Sequence, residues 1–375
     1  MMRFYFDYNA TTPLCEKARQ AFTQHIDLMN PSSVHTEGRR AKELIEKARG
    51  KVSGYLDCDA DQILWTSGTT ESNNHLFTSL AQTPNSRKKI ITTTVEHDAV
   101  LKPLENLEKK GFIIKKISVD RHGKLDWENF HHELDDQTLL VSVMLANNET
   151  GIIFPFERII LEAHQKGALV HTDAACAVGK IPLFFKKWDL DFLSFSAHKF
   201  YGPKGVGGLL VKKDLTHPLL FGGPQERGLR AGTENVPGII ATAEAIRFSY
   251  ENLEKENQRL VTLRNLLKNG IQAIDFKAVF HEAIEAQLPG TFNVGFSDVQ
   301  GQTLVTRLDL EGVASSVGSA CYSGTMQISR VLREMGISQD EARGSLRFSF
   351  GRFTTEEEVK GLLDILRKIL PEMSP

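Results

Sequence analysis

The sequence predicts an α/β fold in which helices cover a largely parallel sheet. Short apolar runs alternate along the chain with longer stretches of helical period, which is the pattern that helices joining parallel strands produce. No internal repeat or low-complexity tract interrupts this alternation. At 375 residues, of which 41% are hydrophobic, the chain is longer than one core usually supports, so we expect two domains.

Six apolar runs are the strand candidates for this sheet, because each is short and bounded by turn or cap residues. They lie at residues 63–66, 89–93, 139–145, 168–172, 192–195 and 207–211. Segments with helical spacing and charge pairs fill the gaps and predict helices. The clearest of these lie at 38–49, 99–109 and 156–165.

The pattern changes in the last third of the chain. A charged helical stretch at 250–268 is followed by scattered short strands, such as 290–296, and by a final helix at 355–370. This change places a domain boundary near residue 252.

The charge pattern favours neither a nucleic-acid partner nor a membrane partner. The formal net charge is −2, and basic residues occur in short pairs with no long cluster. The N-terminus lacks an apolar stretch typical of a signal peptide, and no run of about 18 apolar residues could span a bilayer. We therefore expect a cytoplasmic protein. The cysteines are too widely spaced for a metal motif, which predicts free thiols. They are Cys15, Cys58, Cys176 and Cys321.

Polar residues follow the predicted strands. In an open parallel sheet, ligands bind outside the carboxyl ends of the strands. Taken singly, each of these polar groups could be a helix cap, a turn or a surface side chain. Their joint occurrence at one edge favours a binding site. The groups are the turn at 67–72, His97, the Asn147-Asn148-Glu149 triplet, Asp173, and Ser196 with His198 and Lys199.

Lys199 carries the most chemical information of these residues. It comes directly after an apolar strand and directly before Phe200 and Tyr201. An ammonium held among apolar neighbours loses hydration, which favours the neutral amine that can form a Schiff base with an aldehyde. Taken alone, a lysine at this place is more often a solvated side chain at a strand end. The polar groups around it favour the Schiff base, which is the chemistry of pyridoxal phosphate.

Those polar groups match what a pyridoxal phosphate site requires. An aspartate must face the pyridine nitrogen to keep it protonated, and Asp173 is a candidate for that role. A planar, titratable group must lie near the ring and the substrate amine, for which His97 is suited. The phosphate requires neutral donors at the start of a helix. The candidate donors are Gly68, Thr69, Thr70, Ser196 and His198.

Eleven short strings, in this order, resemble those of the cysteine desulfurases of the class V aminotransferase type, which are pyridoxal-phosphate enzymes. The resemblance runs from Tyr5 to about Glu358. The strings are YFDYNATTP, NPSSVH, TSGTTESNN, VEHDAV, NNETG, HTDAACAVGK, SFSAHK, YGPKGVGG, QERGLRAGTENV, GSACYSG and LRFSFGRFTTEEE.

This resemblance implies fold type I and a homodimer. A large domain at 13–252 would hold a seven-stranded, mostly parallel sheet, and residues 1–12 and 253–375 would form a smaller α+β domain. Thr233 would reach the cofactor phosphate of the opposite subunit. Arg347, assisted by Asn148, would bind the substrate carboxylate through its planar fork, although it could also form a structural ion pair.

Cys321 distinguishes desulfuration from other reactions of these enzymes. It lies in a small-residue segment at 315–325 with neither helical nor strand periodicity, which predicts a loop. Cysteine is often a buried small hydrophobe, but this segment is not apolar. The resemblance implies that Cys321 takes the sulfur of L-cysteine as a persulfide while L-alanine leaves. His97 would act as acid or base, Lys199 would move the α proton, and a protein acceptor such as an iron–sulfur scaffold would receive the sulfur.

Two departures from the family pattern leave points open. Where the family has a glutamine that bonds the phenolic oxygen of the cofactor, this chain has Cys176, and a thiol is a weaker donor. Asn148 could supply that bond alone, or the cofactor site could differ and the second thiol react. The chain ends at Pro375, before the tail by which some relatives dock scaffolds, so the acceptor stays open.

Two rival functions share much of this evidence. Another class V enzyme, such as a selenocysteine lyase or a transaminase, would use the same cofactor site, but a transaminase would not need a thiol at position 321. A sulfur-relay protein of weak turnover would be favoured if Cys176 impaired the cofactor site. The glycine-rich stretch at 202–208 lacks the spacings of nucleotide-binding loops.

Overall fold

The computed structural model describes residues 4–213, 215–318 and 328–373. It confirms the predicted α/β class, with a seven-stranded, mostly parallel sheet covered by helices. The strands are β1 (Phe4–Tyr5), β2 (Ile63–Thr66), β3 (Lys89–Thr93), β4 (Ile113–Ile117), β5 (Thr138–Ser142), β6 (Leu169–Asp173), β7 (Phe192–Ser196), β8 (Gly207–Val211), β9 (Ala278–Phe280), β10 (Thr291–Phe296), β11 (Val313–Ala314) and β12 (Ser345–Ser349). The α-helices are α1 (Glu16–Gln24), α2 (Thr36–Leu56), α3 (Thr69–Gln82), α4 (Asp98–Glu108), α5 (Trp127–Glu133), α6 (Phe156–Gln165), α7 (Val236–Tyr250), α8 (Leu253–Gln272), α9 (Gly301–Leu310), α10 (Arg330–Glu334), α11 (Gln339–Arg343) and α12 (Glu356–Met373).

The large sheet has the strand order β2-β8-β7-β6-β5-β3-β4. Neighbouring strands are parallel except at β8, which runs antiparallel to both β2 and β7. β2 therefore points in the same direction as the parallel strands. This geometry brings the residues that follow β2, β3, β5, β6 and β7 to one edge of the sheet, as the sequence predicts.

One strand of this sheet was missed by the sequence prediction. β4 has the sequence IIKKI, in which Lys115 and Lys116 interrupt the apolar run. Among the described strands, β4 pairs with β3 alone and is the last in the order, so one of its sides has no neighbouring strand there. Charged residues are tolerated, and even favoured, in such an edge strand.

Helix α6 shows how the sequence forms the helical layer. Its apolar residues Phe156, Ile159, Ile160 and Ala163 recur at helical spacing, and all four are buried. The helix starts directly after Pro155. Proline is tolerated at the start of a helix but disrupts its interior, because it lacks a backbone N–H and its ring clashes with the preceding turn. Among the residues that the structure covers, no helix combines the length and the apolar character needed to cross a membrane.

Three groups of buried apolar side chains form the cores. Along β2, Leu64 belongs to one group, whereas Ile63 and Trp65 belong to another, so these two groups lie on opposite faces of the large sheet. The third group surrounds the small sheet β12-β10-β9 and joins Phe6, near the start of the chain, to residues of the final helix. The domain boundary near residue 252 stays a prediction.

His171 in β6 makes the stability of this fold depend on pH. The imidazole is fully buried, with Nδ1 2.8 Å from Ser142 Oγ and Nε2 3.1 Å from Ser194 Oγ. Burial lowers the pKa of His171 from 6.5 to about 3. Below pH 6.5, His171 is therefore protonated in the unfolded chain but stays neutral in the folded chain until the pH falls to about 3. We expect this residue alone to lower the free energy of unfolding by about 2 kcal/mol between pH 6.5 and pH 5.

Urea unfolding of the parent and of His171→Gln at pH 7.5 and at pH 5 measures this contribution. The variant should be less stable than the parent at pH 7.5, because it loses the buried imidazole and its contacts with the Ser142 and Ser194 hydroxyls. On acidification it should lose less stability than the parent does. An equal loss in the two proteins would contradict the prediction.

Candidate active site

A cavity of about 260 Å³ opens at the carboxyl edge of the large sheet. This is near the lower end of the roughly 300–1,000 Å³ that small-molecule sites occupy. Ten side chains singled out from the sequence line it, namely Thr69, Thr70, His97, Asn148, Asp173, Cys176, Ser196, His198, Lys199 and Arg347. The lining residues that sequence reasoning missed are Asn9, Ala10, Ala99, Met144, Ala146 and Ala175.

The turn between β2 and α3 forms a cup at this cavity. Gly68 has a φ of 152° and precedes the first residue of α3. Its surroundings are crowded, because a Cβ on Gly207 of β8 would lie 2.5 Å from the Gly68 Cα. The Thr69 N–H donates to Ser196 Oγ at 2.8 Å, and the two hydroxyl oxygens are 2.6 Å apart. Hydroxyls beside the free N–H groups of a helix start suit a phosphate.

His198 lies in the short helical turn Ala197–Lys199 that follows β7. The pKa of His198 is lowered from 6.5 to about 4. Burial is the largest cause, and the positive charges of Lys199, Lys204 and Lys180 also contribute. The imidazole is therefore neutral at pH 7. One ring nitrogen, Nδ1, lies 3.2 Å from Thr11 Oγ1. A neutral imidazole can donate a hydrogen bond to an anion without the cost of burying a charge.

Asp173 is the last residue of β6 and is buried in the cavity wall. One carboxylate oxygen accepts from Asn73 Nδ2 at 3.0 Å, and the other accepts from the Ala175 N–H at 3.0 Å. These two donors fix the plane of the carboxylate. A buried acceptor of this kind suits a protonated ring nitrogen, because the pair is then charge-assisted.

His97 precedes the first residue of α4 and lines the cavity. Its Nδ1 accepts a hydrogen bond from the Ala99 N–H at 3.1 Å. The acceptor role of Nδ1 assigns the proton of the neutral ring to Nε2. Nε2 is therefore the atom through which His97 can give and take protons in the cavity.

Lys199 and a second lysine are joined by Asn9. The Lys199 ammonium donates to the Asn9 carbonyl oxygen at 2.6 Å, and Lys180 donates to Asn9 Oδ1 at 2.7 Å. The pKa of Lys180 is lowered from 10.5 to about 8, chiefly by burial. The charges of Lys199 and Arg347 act in the same direction, whereas Cys176 acts in the opposite one. The amide nitrogen of Asn9 donates to the Asn148 carbonyl at 3.1 Å. Asn9 thus connects Lys199 to the Asn148 carbonyl, which also accepts from Arg347.

Arg347 of β12 is buried at the other side of the cavity. Its Nη1 donates to the Asn148 carbonyl at 2.9 Å, and its Nη2 forms an ion pair with Asp7 Oδ1 at 2.6 Å. The guanidinium thus forms the structural ion pair that was one of the two sequence interpretations, and it also lines the cavity. Its binding of a substrate carboxylate stays a prediction. Among the described residues its buried Nε has no hydrogen-bond partner.

Four further predicted residues have mixed outcomes. Cys176 is buried and lines the cavity as a free thiol. Gly68 shapes the cup but does not line the cavity itself. Thr233 is exposed and lies outside the cavity, in the connection between β8 and α7, so its contact with a second subunit stays a prediction. Cys321 lies outside the described residues.

The described residues fit pyridoxal phosphate. The cup and the neutral His198 suit a phosphate, the Asp173 carboxylate suits a pyridinium nitrogen, and a lysine amine shares the cavity with them. Asn9 lies within the string YFDYNATTP, but the sequence analysis assigned it no role in the site. Within the described ranges, no group of His, Cys, Asp or Glu side chains could hold a metal ion.

Comparison with known proteins agrees with this geometry. The profile of the family Aminotransferase class-V matches residues 4–362. The chain is 40% identical to the cysteine desulfurase IscS of Dictyoglomus turgidum, covering 98% of this chain and 95% of that protein. It is 41% identical to a cysteine desulfurase of Cereibacter sphaeroides, covering 100% and 97%.

Solved structures give the same result. A NifS-like protein superposes with a TM-score of 0.93 at 38% identity, covering 99% of this chain and 100% of that chain. The apo structure of a cysteine desulfurase from Thermococcus onnurineus NA1 superposes with a TM-score of 0.87 at 25% identity, covering 99% and 95%.

Proposed function

This chain belongs to the class V aminotransferase family and is a pyridoxal-phosphate-dependent cysteine desulfurase, and from that premise we propose which residues carry the reaction. The observation that supports the assignment is the convergence of Lys199, Asp173, His97 and Arg347 on one cavity. When bound, pyridoxal phosphate supplies an electron sink for negative charge at the substrate α carbon.

Cofactor binding is proposed to use both ends of the cavity. Lys199 would hold the aldehyde carbon covalently, and Asp173 would keep the ring nitrogen protonated. Thr69, Thr70, Ser196 and His198 would bind the phosphate together with the backbone at Gly68. Cys176 and Asn148 would contact the ring, and Thr233 of a second subunit would complete the phosphate site.

Substrate binding and proton transfer follow from the remaining side chains. Arg347 and Asn148 orient the carboxylate of L-cysteine. His97 exchanges protons through Nε2 with the substrate thiol or amine. Lys199, once released, would take up the α proton and later return a proton to carbon.

Cys321 is proposed as the sulfur acceptor. Its thiolate attacks the substrate sulfur, so that a sulfur–sulfur bond forms while the carbon–sulfur bond breaks and leaves its electron pair on carbon. Protonation of that carbon gives L-alanine, and Cys321 keeps the sulfur as a persulfide. The balance is one L-cysteine and one thiol converted to one L-alanine and one persulfide.

A homodimer and a protein sulfur acceptor complete the proposal. Phe221 is 82% exposed and follows Leu220, which forms a β-bridge with Arg230, three residues before the exposed Thr233. Val34 is 87% exposed and lies two residues after Ser32, whose hydroxyl accepts from Gln225 Nε2 at 3.3 Å. Large exposed apolar side chains beside a proposed intersubunit residue support an interface there. We propose an iron–sulfur scaffold as one acceptor. The three described cysteines are free, which supports a cytoplasmic location.

The function is tested by incubating the purified protein, loaded with pyridoxal phosphate, with L-cysteine and a reductant. We expect L-alanine and sulfide in equal amounts. Pyruvate or a transaminated product in place of L-alanine would favour the transaminase alternative. Colourless protein that forms no L-alanine would favour a sulfur-relay role.

Replacing Arg347 with lysine should weaken substrate binding. A lysine cannot make two parallel bonds to a carboxylate, and one charge-assisted hydrogen bond contributes about 1.5–3 kcal/mol. We expect KM for L-cysteine to rise about tenfold to a hundredfold, with the absorbance of the bound cofactor unchanged. The matched control is Arg352→Lys, because Arg352 bonds the carbonyl oxygens of Ser249 and Glu251 and does not line this cavity. An unchanged KM in Arg347→Lys would remove Arg347 from the substrate site.

A further inference from the structure

In the part of the chain that the structure describes, no strand pairs with the outer edge of β2. Its backbone groups are bonded by side chains instead. The Ile63 carbonyl accepts from Arg49 Nη1 at 2.8 Å, and the Trp65 N–H donates to Glu226 Oε2 at 2.8 Å. Two residues further on, the Ser67 N–H donates to Glu71 Oε2 at 2.9 Å. These side chains take the place of a neighbouring strand along the edge that leads into the phosphate cup.

Glu226 and Arg49 form a buried ion pair at this edge. Two bonds join them, at 2.6 and 2.9 Å, and both residues are under a tenth exposed. Burial works against the charge of Arg49, but its bonds to Glu226 and Glu46 more than offset this and raise its pKa. A buried carboxylate and guanidinium with two parallel bonds hold a fixed geometry.

Glu226 belongs to a strained stretch of backbone. Glu226 (φ 45°, ψ 48°) and Arg227 (φ 60°, ψ 29°) are both left-handed, and Gly228 follows with φ 78°. Consecutive left-handed residues that are not glycine persist only where the surroundings hold them. The ion pair with Arg49, here called the Arg49 clamp, holds Glu226 together with the hydrogen bond from the Trp65 N–H.

A second ion pair holds the same stretch four residues later. Arg230 Nε donates to Glu71 Oε1 at 2.9 Å, and Glu71 lies in the first turn of α3, at the cup. Burial raises the pKa of Glu71, but the bonds from Arg230 and Ser67 outweigh it and the pKa falls below its ordinary value. Residues 225–233, here called the edge segment, are therefore fastened at two points before they reach the exposed Thr233.

We propose that Glu226, clamped by Arg49, is a positioning residue for the cofactor phosphate of the opposite subunit. The Arg49 clamp holds the strained backbone of the edge segment in one conformation. Thr233 is thereby kept in a fixed position on the surface of the subunit. Arg230 and Glu71 tie the same segment to the cup of its own subunit. This inference rests on the homodimer and the Thr233 contact of the proposed function.

The test uses mixed dimers in which only one site can hold the cofactor covalently. One subunit carries Lys199→Ala and the other keeps Lys199. Glu226→Gln is placed either on the Lys199→Ala subunit, opposite the intact site, or on the subunit that contains the intact site. Loss of cofactor absorbance during dialysis is the readout, so the result does not depend on whether L-cysteine is the substrate.

We expect the cofactor to leave about tenfold faster when Glu226→Gln lies opposite the intact site, and at the parent rate when it lies in the same subunit. A purely structural role would give the faster loss in the same subunit, or equal losses in both dimers, and would overturn the proposal. A monomeric parent protein on size exclusion would overturn it as well. L-alanine formation by the parent separates that failure from failure of the desulfurase assignment.

Two further variants keep the test decisive. Arg230→Gln removes only the ion pair with Glu71. If Glu226→Gln does not fold, Arg230→Gln is placed in its stead, first opposite the intact site and then in the subunit that contains it. Glu46→Gln is the matched control, because Glu46 also bonds Arg49, at 3.1 Å, but its carboxylate is largely exposed and lies outside the edge segment. This control should leave the rate of cofactor loss unchanged in both arrangements; a faster loss would show that any change near Arg49 suffices and would contradict a specific role for Glu226.

Discussion

Replacing Cys321 with alanine is expected to reduce L-alanine formation from L-cysteine to below about 1% of the parent rate. The proposed reaction needs a thiolate to accept the sulfur, and none of the other cysteines is expected to replace it. Cys15 and Cys58 are buried outside the cavity, and burial raises the pKa of both thiols, to about 12 for Cys58. The cofactor absorbance should be that of the parent, because Cys321 is not proposed to bind the cofactor.

Cys176 provides the matched control for this experiment, since it is the described cysteine that lines the cavity. Cys176→Ala should keep most of the L-alanine formation, and the persulfide should be found on the peptide that contains Cys321. Mass spectrometry after one turnover without reductant locates it. If Cys321→Ala stays active while Cys176→Ala does not, the sulfur acceptor has been assigned to the wrong cysteine.

Replacing Lys199 with alanine is expected to lower L-alanine formation by at least about a thousandfold. Lys199 is proposed both to hold the cofactor covalently and to move the α proton, and positioned proton transfer alone contributes about 10²–10⁴-fold. Pyridoxal phosphate should still bind through Asp173 and the phosphate cup, but dialysis should remove it. The absorbance of the Schiff base should be missing.

The control for Lys199→Ala is a neighbouring lysine. Lys204 is exposed and does not line the cavity, so Lys204→Ala should keep the absorbance and the rate of the parent. Borohydride reduction followed by peptide mapping checks the covalent link directly. A reduced adduct on Lys180 in the parent would show that the second lysine of the Asn9 pair is the Schiff-base residue.

The candidate site was largely predictable because of where its residues lie along the chain. Asp173 and Lys199 each follow an apolar run that is readable as a strand, and parallel strands place their carboxyl ends at one edge. The role of Asn9 was not predictable. It comes from contacts with Lys199, Lys180 and Asn148, which are distant in the chain and which no local sequence pattern indicates. β4 was missed because its lysines break the apolar run that identifies a buried strand.

The sequence by itself determined the α/β class, the family and most of the cavity, because hydrophobic period and short motifs are local properties of the chain. Only the tertiary structure decided that Arg347 pairs with Asp7 while lining the cavity, and that Glu226 clamps Arg49 at the edge of β2. These pairs join residues far apart in the chain, and neither partner has a sequence pattern that selects the other. Their geometry comes from the packing of the sheets, the helices and the connecting segments against one another. This packing sets distances between residues that the sequence alone does not specify.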